Sequence, residues 1–236
     1  MIDVYGMESP NAVKVYIALE EMGLPYRNHF VDVLHNENYE PWFTELNPGR
    51  KVPVIVDEDG PGGEPFTLFE SGAILLYLAE KTGKLIPADR SGHYRTVQWV
   101  FQQHGLMGPM GGQLAHFLRF APDCKDPYPE QRYRTQNNIL YDLYDGELAK
   151  RPYIAGDEFT IADVAIWPWI CYHELHRLDL DARKHLRAWF DRIGARPVVR
   201  KVTDMIGKLK STAGVMGSMT EDHQDLFFAR GKHTRA

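Results

Sequence analysis

The chain has 236 residues, of which 44% are hydrophobic and 25% charged, and it carries a net charge of -5 at pH 7. This composition is that of an ordinary globular protein of one or two domains, and it provides no basic stripe for nucleic acid or an anionic membrane surface. Two cysteines in neither CxxC nor metal-binding spacing predict no disulfide framework and no metal site. No apolar run has the length of a membrane span, so we expect a cytoplasmic protein.

Short strands and helices alternate in the first third of the chain. Ser9 and Pro10 predict the start of a helix, because serine often caps a helix and proline is tolerated at the first helical position. Gly23 predicts its end. The hydrophobic pattern predicts strands at 2–5, 26–33, 52–56 and 66–69, and helices at 10–22 and 70–81. This order fits a thioredoxin-like layer with one right-handed crossover.

The loop before the third strand and the helix start after the fourth predict a ligand site. A proline that opens a strand, as Pro53 does, leaves the backbone groups of its neighbour Val52 available to a ligand. If the bond between them is cis, Val52 can pair its N–H and C=O with an extended peptide. A carboxylate of that peptide would rest at Glu70 and Ser71, where the unpaired N–H groups of a helix start attract an anion. The stretch predicts a site for a small anionic peptide.

The chain beyond a linker at 83–92 has helical periodicity. Glycine and proline residues between Gly105 and Gln113 predict a kink or break. Thr160 and Asp163 form a capping box in front of an almost wholly apolar core helix. We therefore divide the chain into a domain at 1–82, the linker, an all-helical domain at 93–210 and an extension at 211–236, whose Leu226 to Phe228 are expected to anchor it.

Several of these motifs resemble a known family. Lys51-Val52-Pro53 followed by Glu70-Ser71 is similar to the glutathione-binding core of cytosolic glutathione transferases. Ser9-Pro10-Asn11, Gly108 to Gln113 and Trp167-Pro168-Trp169 resemble the bacterial nu class more narrowly. The resemblance implies an α+β protein with a thioredoxin-like amino-terminal domain and an all-α carboxy-terminal helical bundle. It also implies a homodimer that uses glutathione, and no metal, to reduce disulfides, with weaker conjugation of electrophiles.

The resemblance assigns roles to individual residues. Ser9 and Asn11 would face the glutathione sulfur, and this is the predicted catalytic pair. The predicted glutathione-binding residues are Val52 with Pro53 for the cysteinyl backbone, Glu70 and Ser71 for the γ-glutamyl end, Lys51 and Asn38 for the glycine carboxylate, and Arg132 reaching across the dimer. A sulfur held at a helix start would have a lowered pKa, because the helix dipole stabilises the thiolate.

The residues by themselves leave alternatives open. Without the resemblance, Ser9 is only a helix cap, and Tyr5 and Tyr16 are rival donors that we expect to be packing residues. A group formed by Met110, His116, Phe117 and Phe120 is either the lining of an electrophile pocket or ordinary core. A regulatory dimer that binds glutathione with little catalysis is the alternative function. The disulfide or electrophile that reacts is not encoded in any motif.

Overall fold

The computed structural model describes residues 1–121, 123–210 and 219–231. The chain divides into two compact units. One unit is formed by residues 1–74 together with the described residues from 201 onward, and the other by residues 75–200. The candidate site residues of the thioredoxin-like layer all belong to the first unit, with Arg132 in the second.

The first unit is built on a four-stranded mixed sheet. Its strands are β1 (Ile2–Gly6), β2 (Tyr26–Phe30), β3 (Val54–Asp57) and β4 (Phe66–Phe69). The spatial order is β2-β1-β3-β4, with β1 parallel to β2 and antiparallel to β3, and β3 antiparallel to β4. Three helices accompany the sheet in sequence: α1 (Pro10–Met22), α2 (Pro41–Leu46) and α3 (Ser71–Thr82). The predicted thioredoxin-like layer is confirmed.

Two strand boundaries differ from the prediction. β3 begins at Val54 rather than at Val52, because the preceding peptide bond is cis and Pro53 has no N–H to add to the ladder. β2 ends at Phe30 rather than at residue 33. The chain turns there into two short 3-10 helices, Val33–His35 and Glu37–Tyr39, the first of which is capped by the Asp32 side chain. Both differences lengthen the loops at the end of the sheet where the candidate site lies.

The second unit is all-helical, as predicted. Its helices are α4 (Arg90–Gln102), α5 (Gly108–Arg119), α6 (Tyr128–Leu148), α7 (Ile161–Ile170) and α8 (Lys184–Gly194), after which α9 (Pro197–Lys210) and α10 (Glu221–Phe228) follow in the chain. α4 begins inside the segment 83–92 that the sequence predicts as a linker. Its start is fixed by Asp89, whose carboxylate accepts a hydrogen bond from the Gly92 N–H at 2.8 Å.

The glycine-rich segment after α4 does not break the helical path. A single π-helical turn at Gln103–Met107, which contains Gly105, leads directly into α5, which contains the other glycines of this segment. Pro109 stands in the first turn of α5, where a missing N–H costs no hydrogen bond. A Cβ on Gly111 would lie only 3.0 Å from the Trp169 ring. The glycine therefore permits close packing on that ring rather than ending the helix.

The capping box of α7 is confirmed and does more than start a helix. The buried Asp163 carboxylate accepts hydrogen bonds from the backbone N–H groups of Ile154 and Thr160 and from the Trp189 indole at 2.8 Å. Three groups of the second unit are thus bonded to one side chain. This residue supports the fold, as the sequence predicts, and takes no part in the candidate site.

The described end of the chain packs onto the first unit. Met219 is buried in a cluster with Met7, Val33 and Phe43, and Phe227 and Phe228 pack against the same cluster. The predicted anchor is therefore confirmed for these two phenylalanines. α10 lies against the 3-10 helix that follows β2, and the Tyr39 hydroxyl donates a hydrogen bond to the Leu226 carbonyl at 3.3 Å.

Candidate functional site

The strand register brings three loops to one end of the sheet. Tyr5, near the end of β1, is paired with Val54 at the start of β3, and Val54 is paired with Phe69 at the end of β4. The residues that follow Tyr5, precede Val54 and follow Phe69 therefore share this end. Antiparallel pairing thus gathers stretches that are distant in sequence. Each carries part of the predicted site.

Ser9 and Asn11 lie at the start of α1, in the first of these loops. Ser9 is the helix cap: its hydroxyl accepts a hydrogen bond from the Ala12 N–H at 3.2 Å. Both side chains are half-buried, so each has a face toward solvent. A group placed beside them would meet a hydroxyl, an amide and the positive end of the helix dipole together. The local geometry therefore suits an anionic atom such as a thiolate sulfur.

The two rival donors belong to the packing of the sheet and α1. Tyr16 is buried, its hydroxyl donates a hydrogen bond to the Asn28 side chain, and burial raises the pKa of its phenol. Tyr5 stacks on the His29 ring with centroids 4.6 Å apart, and burial raises its pKa as well. A raised pKa keeps both hydroxyls protonated at neutral pH, and each ring has a packing role, as expected from the sequence.

The Val52-Pro53 bond is cis. Pro53 is buried, and a Cβ built on Gly6 would lie 4.0 Å from the Pro53 Cβ and 3.5 Å from the Ala12 Cβ. Gly6 thus lies within van der Waals distance of both the cis proline and the first turn of α1. Val52 itself is half-buried and precedes the ladder, since β3 pairs with its neighbours only from Val54 onward. Val52 and Ser9 consequently lie on neighbouring loops.

A buried asparagine shapes the approach to Val52. The Asn47 side chain, only 3% exposed, donates to the Lys51 carbonyl at 2.7 Å and accepts from the Gly49 N–H at 2.8 Å. Arg50 between them has a positive φ of 54°. An asparagine before Pro-Gly is a residue type that often bonds to nearby backbone, and these two bonds fix the loop that leads to Val52.

Asn38 supports the same loop from the other side. Its amide donates to the Arg50 carbonyl at 2.8 Å, and the residue is 6% exposed. The Arg50 guanidinium lies 4.9 Å from the centre of the Tyr39 ring. Lys51, in contrast, is exposed and has its ammonium group in solvent reach. The structure thus places Asn38 as a support of the loop and Lys51 as its freely accessible cation.

Glu70 and Ser71 form the start of α3 in the third loop. Glu70 has a positive φ of 70°, which is uncommon for a residue with a side chain, and its carbonyl accepts the first helical hydrogen bond from Ile74. Such backbone conformations cluster at binding and catalytic sites. Glu70 is exposed, while Ser71 is buried. The start of this helix lies at the same end of the sheet as Val52.

One polar residue near this helix start was missed by the sequence reasoning. Lys14 in α1 is fully buried, and its ammonium group lies 3.4 Å from the Ser71 hydroxyl. Burial lowers the pKa of Lys14 well below 10.5, and the Glu70 carboxylate opposes this. Its spacing contained a signal, because Lys14, Ala18 and Met22 recur at every fourth position and share the buried face of α1.

The remaining candidates lie in the second unit. Met110, His116 and Phe117 lie on α5, with Phe120 directly after it, and all four are half-buried. Phe117 stacks on Tyr133 of α6, with ring centroids 5.8 Å apart. Arg132, one residue earlier on α6, is exposed.

Comparison with known proteins settles the family. The sequence model described as Glutathione S-transferase, N-terminal domain, matches residues 8–81, and that of the C-terminal domain matches residues 113–197. The disulfide-bond oxidoreductase YfcG of Escherichia coli is 41% identical over 198 residues, which cover 84% of this chain and 92% of YfcG. The chain belongs to the glutathione S-transferase family. The family inferred from the motifs is confirmed.

Solved glutathione transferase structures match over most of the chain. A transferase from Burkholderia graminis, described with two glutathione molecules bound per subunit, has a TM-score of 0.82 and 41% identity, covering 86% of this chain and 87% of that one. A transferase from Pseudomonas putida, described with one glutathione disulfide bound per subunit, has a TM-score of 0.80 and 38% identity, covering 85% and 90%. The predicted two-part transferase fold is therefore confirmed.

Among the described residues, no helix combines the length and apolarity required to traverse a bilayer. Within the same ranges, histidine, cysteine and carboxylate side chains form no group of three placed to bind a metal ion.

Proposed function

We propose that this glutathione transferase reduces disulfides with glutathione, and that Ser9 and Asn11 stabilise the reacting thiolate. The observation that carries the proposal is the convergence of the α1 start, the cis Val52-Pro53 bond and the α3 start at one end of the sheet. The names of YfcG and of the transferase with bound glutathione disulfide favour disulfide chemistry over simple conjugation.

Each part of the site matches one part of the tripeptide. The start of α3, with Glu70 and Ser71, is suited to the charged γ-glutamyl end, because helix N–H groups and a hydroxyl favour a carboxylate while an acid favours an amine. Val52, ahead of the β3 ladder, has a backbone suited to pair with the cysteinyl residue as a short added strand. Lys51 supplies an accessible cation for the glycine carboxylate, and Asn38 holds the loop that presents it.

The chemistry needs only a positioned thiolate. The thiolate of bound glutathione attacks one sulfur of the disulfide and expels the other as a thiolate, and a second glutathione reduces the mixed disulfide to give glutathione disulfide. Ser9 and Asn11 raise the thiolate fraction by hydrogen bonding and by their place at the positive end of α1. The protein contributes position and charge stabilisation.

The proposal also covers the oligomeric state, the domain boundaries and the cellular compartment. A homodimer is supported by apolar side chains exposed on α4 and α6, of which Phe101 is 69% and Ile139 54% exposed. Arg132 on the exposed side of α6 would extend to the site of the partner subunit. A glutathione-binding domain at 1–82, a linker at 83–92, a helical domain at 93–210 and an extension at 211–236 remain our proposed division. Cys124 and Cys171 are not disulfide-bonded, which fits a reducing compartment such as the cytoplasm.

The proposal is tested by turnover of the purified protein. Reduction of 2-hydroxyethyl disulfide by glutathione is coupled to NADPH oxidation through glutathione reductase and is compared with conjugation of chlorodinitrobenzene. We expect fast disulfide reduction and slow conjugation. Asn11→Ala should lower kcat for disulfide reduction far more than it weakens glutathione binding, whereas the exposed variant Asn28→Ala should leave kcat unchanged. Tight glutathione binding without turnover in either assay would favour the regulatory dimer instead.

A further inference from the structure

The described end of the chain shares a hydrophobic cluster with two loops of the proposed site. Met219, which is only 7% exposed, lies in this cluster together with Met7 from the loop between β1 and α1. Val52 packs against the same cluster from the loop before β3, and Phe227 and Phe228 of α10 pack against it as well. The cluster therefore joins α10 to the loop that leads into α1 and to the loop that carries the proposed glutathione-pairing backbone.

Tyr39 provides a second, polar connection between α10 and the same loop. Its hydroxyl donates a hydrogen bond to the Leu226 carbonyl of α10 at 3.3 Å. The Arg50 guanidinium lies 4.9 Å from the centre of the Tyr39 ring, and the neighbouring Asn38 amide donates to the Arg50 carbonyl at 2.8 Å. Tyr39 and Asn38 thus connect α10 to the backbone just ahead of Val52.

α10 and the loop before β3 both depend on contacts outside their own backbone. α10 has eight residues, and an isolated helix of that length is marginal in water. The loop lies ahead of the strand ladder, because pairing of β3 with β1 and β4 begins only at Val54. Packing on the shared cluster removes apolar surface of both segments from water, so the order of each favours the order of the other.

We infer that α10 is a positioning element for glutathione: packed on the cluster, it holds the loops of Met7 and Val52 in the conformation that binds the tripeptide. This inference rests on the proposed function, since it assumes that glutathione pairs with Val52. When α10 leaves the cluster, the site binds glutathione more weakly. Because such coupling is reciprocal, bound glutathione stabilises the packed position of α10 by the same factor.

Hydrogen exchange of the wild-type protein, followed by mass spectrometry, tests the coupling without any substitution. Exchange is compared without ligand and with saturating S-methylglutathione, which cannot react with a disulfide. The amides of α10 should exchange about fivefold or more slowly in the complex, because the ligand lowers the population in which α10 is detached. The amides of α8, which belongs to the other unit, are the internal control and should change little. Unchanged exchange of α10 at saturation would overturn the inference.

A matched pair of variants tests the same coupling from the other side. Met219→Asp places an unpaired charge in the cluster and should detach α10, whereas Ala229→Asp adds the same charge at an exposed position after α10. Calorimetric titration should show that Met219→Asp raises Kd for S-methylglutathione about fivefold or more. This factor should agree with the factor by which the ligand slows α10 exchange in the wild type. Ala229→Asp should leave Kd unchanged.

Turnover separates positioning from a general loss of folded protein. A positioning effect in Met219→Asp raises KM for glutathione and leaves kcat at saturating glutathione close to the wild-type value. A smaller folded fraction would instead lower kcat and leave KM unchanged, and an unchanged Kd in folded Met219→Asp would likewise overturn the role of α10.

A milder variant serves if Met219→Asp does not fold. Tyr39→Phe removes the hydrogen bond to Leu226 and retains the ring beside Arg50. It should speed the exchange of α10 about fivefold without ligand, the size of one net hydrogen bond, and S-methylglutathione should still slow that exchange. Exchange at the wild-type rate in Tyr39→Phe would overturn the role of Tyr39. Failure of the wild-type protein to bind S-methylglutathione would instead overturn the proposed function.

Discussion

We expect Asn47 to affect both the stability of the chain and its affinity for glutathione. Its buried side chain makes two hydrogen bonds within five residues, to the Lys51 carbonyl at 2.7 Å and from the Gly49 N–H at 2.8 Å. Together they hold the loop that precedes the cis Val52-Pro53 bond. Asn47→Ala removes both bonds, and Asn47→Asp removes only the donor. We expect both variants to destabilise the chain and to weaken glutathione binding.

The magnitude follows from the two bonds. Each contributes about 1 kcal/mol net, and a partner left buried without a bond costs about 1 to 3 kcal/mol. Gly49 and Lys51 are exposed, so water can reach the groups that Asn47→Ala leaves unpaired and the lower values apply. The free energy of unfolding should fall by about 2 to 3 kcal/mol in Asn47→Ala. Asn47→Asp retains the acceptor for the Gly49 N–H but places a carboxylate oxygen against the Lys51 carbonyl in a buried site, so it should lose at least as much.

Urea denaturation and glutathione kinetics provide the two measurements. The denaturation midpoint should shift while the slope stays that of the wild type, since the same surface is exposed on unfolding. KM for glutathione should rise several-fold, because Val52 is no longer held in place, whereas kcat at saturating glutathione should change little. A lower midpoint with an unchanged KM would refute the argument that Asn47 positions Val52.

Three other expectations follow from single contacts. Tyr16→Phe removes the bond to Asn28 and should cost about 1 kcal/mol of stability in urea denaturation with kcat unchanged; a large loss of turnover would make Tyr16 the thiolate donor. Burial raises the pKa of Asp163 to about 6, so the folded state binds its proton more tightly and the contribution of this carboxyl to stability decreases as pH rises from 4 to 6. In thermal melts Asp163→Asn should be less stable than the wild type throughout, and the difference in stability should narrow over this pH range. A difference that widens would contradict the sign. Met219→Ala should lower the free energy of unfolding by about 2 kcal/mol in urea titration, and the exposed Glu221→Gln by far less; equal effects would mean that α10 is not anchored by Met219.

Local signals in the sequence predict much of the first unit. The bounds of α1 agree with the prediction at both ends, because Ser9, Pro10 and Gly23 each act through backbone preferences that need no tertiary partner. β4 also agrees with its predicted bounds, which follow from its hydrophobic pattern. The start of α3 agrees to within one residue, because Glu70 and Ser71 mark the beginning of the helix. Once the strand order is known, the loops after β1, before β3 and after β4 are expected to meet at one end of the sheet.

Features that depend on tertiary packing are not accessible from such signals. Lysine is a residue type typical of the surface, and only the folded environment of α1 shows that the Lys14 side chain is buried. The glycines of α5 predict a break by propensity, yet Gly111 allows contact with a ring 58 residues later in the chain. The sequence predicts that Asn38 contacts the ligand. Only the folded loop shows that its amide donates to the Arg50 carbonyl.

The central claim, that the start of α1 stabilises a thiolate, is tested most directly by the ionisation of bound glutathione. Ultraviolet absorbance of the thiolate is followed against pH for the wild-type complex and for Ser9→Ala and Asn11→Ala complexes. In the wild-type complex the thiol should be half ionised well below the value of about 8.5 for an ordinary thiol, and each variant should move the midpoint back toward that value. A wild-type midpoint equal to that of free glutathione would contradict the account.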